Sequence, residues 1–378
     1  MGESLRILFL TDLYKPFAGG ASTHQTELAS RLAARGHEIH VLTSRLIGTP
    51  KVETSFGVTV ERVGSWKAAG RYSIIAPGML RAIEVSRSID IIHGTTFVAT
   101  APTSVAGRIC DRPTVITAFE VFDDLWLSLY PKPLLKGIGH RFVERLTLRL
   151  PVNKFVAISE YTRKRLRSIG IDFVRSLTIY CGVDYDFWSR SRAEPAEFRN
   201  RNGLANRFVY LCYGRAGITK GIDTLLRATE IVASKLPEAR LLLCMNAGEK
   251  YDEHVRAIEA SPILRRKVVL QSNLRAAEVR NAIAAADMVV VPSISEGFGY
   301  SVAESCAMGT PVVATKAGAI PEVISGRHHL VPPGDPISLA DAIIRGASGD
   351  WTVAPHKRFP WDDTVSLYEK CFRTFLDA

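Results

Sequence analysis

At 378 residues the chain is too long for one hydrophobic core, so two domains are expected, and its composition is that of an ordinary soluble globular protein. No run approaches the ~20 apolar residues of a membrane span. Cys110, Cys181, Cys212, Cys244, Cys306 and Cys371 are scattered without a CxxC pair, so they read as buried thiols rather than disulfides or metal ligands, which points to a reducing cytoplasm. The net charge is +10, and residues 1–190 hold most of the surplus, with 25 basic against 17 acidic side chains. That bias suits an anionic acceptor or the inner face of an anionic membrane, or is simply solvated surface. No nucleic-acid partner is expected.

The first half alternates strand and helix. LRILFLTD is too short and too early for a signal peptide and reads as a first strand over 5–11. The loop YKPFAGGAS follows, then a helix over 23–35 that ends at Gly36, with Leu28 and Leu32 as its apolar stripe. Gly19 and Gly20 sit between strand and helix. They do not make GxGxxG, which argues against nicotinamide binding. Further strands are predicted over 38–43, 58–63, 90–93, 114–118 and 155–158. His93 would close the fourth strand facing a cleft, either bonding a ligand or serving as a satisfied structural histidine. After Pro133, Leu134, Leu135, Ile138, Phe142, Leu146 and Leu150 recur among Lys136, Arg141, Arg145 and Arg149. This is an amphipathic surface helix, expected to pack on its own domain, with membrane contact as the other reading.

The polar stretch DYDFWSRSRAEPAEFRNRNG reads as a linker between domains 1–185 and 205–360. A second alternating unit follows, with strands over 208–213, 240–245, 268–271, 288–292 and 311–314 and helices over 223–234, 276–284 and up to about Met308. Strands alternating with helices imply parallel sheets with right-handed crossovers, hence two doubly wound α/β domains. A last helix covers 361–375.

The densest chemistry lies in EGFGYSVAE. Glu296 and Glu304 flank a glycine-aromatic-glycine turn that opens a helix directly after the buried strand DMVVVPS. Such a turn exposes backbone N–H groups that suit phosphate, while carboxylates suit sugar or ribose hydroxyls. Upstream, GRAGITKG brings Arg215 and Lys220 to the end of the first strand of the second unit. Fixed cations there would stabilise charge developing on a departing diphosphate.

EGFGYSVAESCAMGTPVVATKAGAIPEVI together with Gly214, Arg215, Lys220 and Gly221 resembles the donor site of the retaining glycosyltransferases of family 4, and the likeness extends over nearly the whole chain. The resemblance implies the GT-B fold: two Rossmann-like domains facing across a cleft, with the C-terminal helix, 361–378, crossing back to the first domain. It implies transfer of a sugar from a nucleotide-diphosphate sugar to an acceptor hydroxyl, on a glycan, a lipid-linked molecule or a small molecule. Glu296 would hold the sugar and Glu304 the ribose. Arg215 and Lys220 would bind the diphosphate, aided by Gly297, Phe298, Gly299, Tyr300 and Ser301. Ser272, Asn273 and Leu274 match the loop that meets the base, and Gly19 and Gly20 the glycine loop that approaches the phosphates.

The chain departs from the family in TAFEVFDDLW, where a histidine that approaches the sugar is replaced by Phe119. Glu120 takes over part of its role or is an ordinary surface carboxylate. Asp184–Asp186 mimics a DxD metal motif but corresponds to an interdomain segment, so no cofactor and no essential metal is expected. A nucleotide-sugar epimerase on the same fold and a catalytically silent nucleotide-sugar binder are the alternatives.

Overall fold

The computed structural model describes residues 3–17, 19–65, 67, 70–130 and 132–376. The chain divides into two units, 1–182 with 361–378 and 183–360. Among the described residues no helix is long and apolar enough to cross a membrane.

The first unit is built on β1 (Arg6–Thr11), β2 (Glu38–Ser44), β3 (Val52–Ser55), β4 (Val58–Val63), β5 (Ile91–Thr95), β6 (Thr114–Ala118), β7 (Lys154–Ala157) and β8 (Ser176–Thr178). Their order is β3-β4-β2-β1-β5-β6-β7-β8, parallel except for β3. The chain turns back at β1, which pairs with β2 on one side and β5 on the other. Loops leaving the carboxyl ends of those two strands border the crevice that a doubly wound sheet offers to ligands. Ile7, Leu8 and Phe9 are wholly buried, as a central parallel strand covered on both faces requires. The edge strand β3 is absent from the sequence reading. It forms a tight hairpin with β4, made possible by positive φ at both Phe56 and Gly57.

The helix Gly20–Ala34 starts three residues earlier than expected, directly on the glycine pair, and buries Leu28 and Leu32. The C-terminal helix Trp361–Arg373 packs against it, placing Trp361, Val365, Tyr368 and Phe372 in the core beside Phe9, Leu28 and Leu32. Gly182 has to be glycine, because a Cβ there would stand 2.2 Å from the Trp361 ring.

The second unit carries β9 (Phe208–Arg215), β10 (Ala239–Asn246), β11 (Val268–Gln271), β12 (Met288–Val291), β13 (Val312–Thr315), β14 (Gly326–Val331) and β15 (Thr352–Ala354). The order is β11-β10-β9-β12-β13-β14-β15, with only β15 antiparallel. The switch point falls between β9 and β12.

The stretch expected as a linker belongs to this unit. Pro195–Arg201 is helical and buries Phe198, and Arg199 bonds the Ala285 carbonyl and Asp287. Its polarity misleads because the arginines spend their charge on backbone carbonyls of the neighbouring helix end. Five cysteines are buried, Cys110 is partly so, and all six are free thiols.

The helix after Pro133, Leu134–Leu148, departs from expectation in its orientation. It turns Gly137, Glu144 and Leu148 inward, while Leu135 and Phe142 stand 79% and 66% exposed. Glu144 decides this. Its carboxylate accepts from the backbone N–H of Phe122 and Asp123 and from Trp126 Nε1, so the polar edge is the anchored one.

Candidate functional site

At the switch point of the second unit, β9 runs into Gly214 and Arg215 and then a tight loop to Lys220. Gly221 opens the helix Ile222–Lys235 with φ +64, and a Cβ there would lie 1.9 Å from the Pro292 carbonyl. The loop after β9 therefore rests on the loop after β12, an approach reinforced by Ile294 N donating to the Thr219 carbonyl at 2.7 Å. Across this seam Lys220 Nζ meets Glu296 Oε1 at 2.5 Å. Ser293 Oγ donates to the same oxygen at 2.9 Å.

Glu296 is buried, and its backbone is fixed from behind. Ala319 N donates to its carbonyl, and Gly318 (φ +56) lies so close that a Cβ would meet that carbonyl at 2.0 Å. Thr315 Oγ1 donates to the Ser293 carbonyl at 2.5 Å.

The turn between the two acids has the predicted form. Gly297, Phe298 and Gly299 are buried, Phe298 packing edge-on against Tyr300 and Phe359. Gly299 at φ +92 starts the helix Tyr300–Ala307, which has no side-chain cap and no acid in its first turn. Its first turn brings backbone N–H groups, those of Tyr300 and Ser301 included, to a helix N-terminus, a setting that suits an anion.

Glu304, one turn in, accepts a hydrogen bond from Tyr213 Oη at 2.8 Å, and the same hydroxyl lies 3.1 Å from the Ser301 carbonyl. Loss of water pushes the Glu304 carboxyl up to about 8, and the Tyr213 bond offsets part of that rise. Burial, with the Glu304 charge adding to it, holds the Tyr213 hydroxyl well above its ordinary range. Tyr213, Gly214, Arg215, Lys220, Ser293 and Ser301 line one cavity. Arg215 and Lys220 thus share this cavity with Ser301 at the head of the helix, and Glu296 and Glu304 each bond a residue that lines it.

At the edge of this site Asn273 takes φ +58, with its N–H donating to Asn246 Oδ1, while Ser272 is exposed and Leu274 half-buried. Asp184 of the DYD stretch accepts from Phe187 N and so closes a local turn. Among the described residues no group of three or more His, Cys, Asp or Glu is arranged to hold a metal.

In the first unit Gly19 and Gly20 stand where expected, heading the helix Gly20–Ala34 after β1. Glu120 is half-exposed just past β6. His93 does not reach a cleft. It lies inside β5, wholly buried among Phe9, Tyr368 and Phe372, and its Nε2 is 2.8 Å from Thr117 Oγ1. Thr117 continues to Tyr368 Oη at 2.8 Å, and Tyr368 to His24 Nε2 at 3.3 Å. This buried chain ties β5, β6 and the first and last helices together. Burial pushes both histidines down to about 3. Phe119, in place of the family histidine, packs edge-on against His24.

Sequence reasoning missed Tyr213, Ser293 and Gly318. The available signals were a tyrosine one residue before a strand-end glycine, a serine closing the strand before the acidic turn, and the glycine of KAGAI.

Two family models divide most of the chain between them. Glycosyltransferase Family 4 matches residues 18–187 and Glycosyl transferases group 1 matches residues 207–348. A D-inositol 3-phosphate glycosyltransferase of Xylanimonas cellulosilytica is 27% identical, over 92% of this chain and 90% of its own. Among solved structures, Anabaena Alr3699/HepE in complex with UDP-glucose is similar with a TM-score of 0.76, at 22% identity, covering 99% of each chain. The sucrose-phosphate synthase of Thermosynechococcus elongatus reaches 0.80 at 20% identity, over 98% of this chain and 99% of that one. With two doubly wound sheets whose acidic and basic motifs meet at the second switch point, the chain has the GT-B fold and belongs to glycosyltransferase family 4.

Proposed function

We propose that the chain transfers a sugar from a nucleoside diphosphate sugar to an acceptor hydroxyl with retention at the anomeric carbon and without an essential metal. The observation that carries this reading is the Lys220–Glu296 pair beside the uncapped helix headed by Gly299. Lys220 and Arg215 bind the diphosphate together with the N–H groups of Tyr300 and Ser301. They stabilise the charge that gathers on the leaving oxygen, a role fixed dipoles and cations fill without reorganisation. Protein cations at this position make a divalent ion dispensable.

Glu296, released from Lys220 when phosphate arrives, accepts from the sugar hydroxyls. Glu304 accepts from the ribose. Front-face substitution requires no protein nucleophile, the departing diphosphate taking the acceptor proton. The UDP-glucose bound to HepE supports a uridine nucleotide as the first donor to try.

The acceptor is a glycan or lipid-linked hydroxyl in our reading. A phosphorylated cyclitol is the second reading, favoured by the relatives named for D-inositol 3-phosphate. The test is turnover of an α-linked UDP-sugar on these two acceptor classes, followed by NMR of the new anomeric centre with and without EDTA. An α product formed equally in EDTA supports the proposal. A β product, or activity restored only by metal, overturns it. Change of the donor sugar with no acceptor present would mean an epimerase, and nucleotide binding without turnover a silent binder.

A further inference from the structure

The helix Leu134–Leu148 is attached by its polar edge and shows its apolar edge to solvent. Leu135, Ile138, Phe142 and Leu146, spaced three, four and four residues apart, form one stripe and are 79%, 48%, 66% and 55% exposed. The opposite edge is pinned. Gly137 lies so near the Trp126 carbonyl that a Cβ would stand 2.7 Å from it, and Glu144 is buried under three N–H donors. Arg141 and Arg145 are drawn to Asp123. The helix therefore cannot roll its leucines inward without breaking buried, charge-assisted bonds.

The exposed charges on the helix itself and at its ends have one sign. Glu144 is the helix's sole acid, and it is buried. Lys132, Lys136 and Arg149 are exposed at its two ends, and Lys136 Nζ sits 4.4 Å over the Tyr130 ring. Trp126, Tyr130 and His140 stack beside it, with Trp126 and His140 rings 4.8 Å apart. Tyrosine and tryptophan rings of this amphipathic kind settle at a membrane–water boundary. An apolar stripe edged by cations, on a helix with no exposed carboxylate of its own, matches a surface that is apolar inside and anionic outside, an acidic lipid bilayer, while the exposed Asp124 beside it is held by Arg165.

We propose that the first unit docks on anionic membranes through this helix, lying in the plane of the interface with Leu135, Ile138, Phe142 and Leu146 inserted. Nothing in this depends on the transfer chemistry.

The test is flotation of the full chain with vesicles of equal phosphatidylglycerol and phosphatidylcholine, and with phosphatidylcholine alone. Expected is binding to the anionic vesicles, abolished by Leu135→Glu with Phe142→Glu. Lys132→Gln with Lys136→Gln should weaken it by about twenty- to thirty-fold. Unchanged circular dichroism of the variants excludes misfolding. Should they fail to fold, amide exchange of wild type gives the answer, with protection of 134–148 expected only when anionic vesicles are present. Three results would overturn the proposal. These are no flotation, equal binding to both vesicle types, and a concentration-dependent dimer dissolved by Leu135→Glu with Phe142→Glu, which would assign the face to a second copy of the chain.

Discussion

Tyr213 has one hydroxyl proton and two acceptors within reach, the Ser301 carbonyl and Glu304 Oε2. A protonated Glu304 removes the conflict, because it donates to Tyr213 while Tyr213 donates to Ser301. With the carboxyl at about 8, roughly nine sites in ten are neutral at pH 7. Ribose hydroxyls are donors and call for the carboxylate, so nucleotide binding should expel that proton. Ionising the group one unit below its pKa costs about 1.4 kcal/mol, which makes UDP bind about tenfold more weakly at pH 7 than well above pH 8. The assay is calorimetry of UDP binding in two buffers of different ionisation enthalpy. Wild type should release about 0.9 proton per nucleotide at pH 7 and about half a proton at pH 8. Glu304→Gln should lack that increment, which separates it from protons lost by the nucleotide itself. Equal proton release in wild type and Glu304→Gln would refute the reasoning. The same group gives a stability effect of defined sign. Its folded pKa is raised, so its contribution is complete below about 4.5 and is lost as pH rises through about 8. Glu304→Gln should therefore melt higher than wild type at pH 9.

Glu296→Gln keeps the shape of the site but removes the charged acceptor for the sugar hydroxyls, and kcat should fall by about 10²–10³ with little change in UDP affinity; steady-state kinetics beside calorimetry would show it. Gly221→Ala forces a Cβ onto the Pro292 carbonyl at positive φ, which should cost about 1–3 kcal/mol in denaturant unfolding and more in activity. Tyr368→Phe breaks the buried chain between His24 and Thr117 and should destabilise by about 1–3 kcal/mol. His24 and His93 are neutral when folded, with depressed pKa values, so their contribution is complete above about 6.5 and drains away as pH falls toward about 3. Acid unfolding of wild type should begin below pH 6.5.

The order of strands and helices was readable because each central strand is an unbroken apolar run, and each helix that follows carries one apolar face. β11, residues 268–271, and β6, residues 114–118, sit where the pattern predicts. The edges were not readable. β3, β8 and β15 are three or four residues long, and Ser176 is the one buried residue among them, so they carry no burial pattern to detect. The donor-side motif was legible because its glycines and charges are contiguous in sequence. Tyr213 escaped because its role depends on a partner ninety-one positions away. His93 misled because a strand-end histidine and a mid-strand one look alike until the register is known. The helix Leu134–Leu148 misled differently: periodicity shows that two faces exist but not which one is turned inward, and here a buried carboxylate overrode the leucines.

The hydrogen-bonded path from His93 through Thr117 and Tyr368 to His24 closes only when the helix Trp361–Arg373 is present. All of Val183–Pro360 is threaded between the first sheet and that helix. During synthesis the second unit, continuous in sequence, has every residue it needs while the first still lacks one wall of its core. Phe9, His24 and Thr117 then wait, uncovered, for a segment that emerges last. The order of assembly is thus the reverse of the order of translation, and a ribosome that stalls inside the final helix would leave a well-formed second unit joined to a first unit with an open, sticky interior.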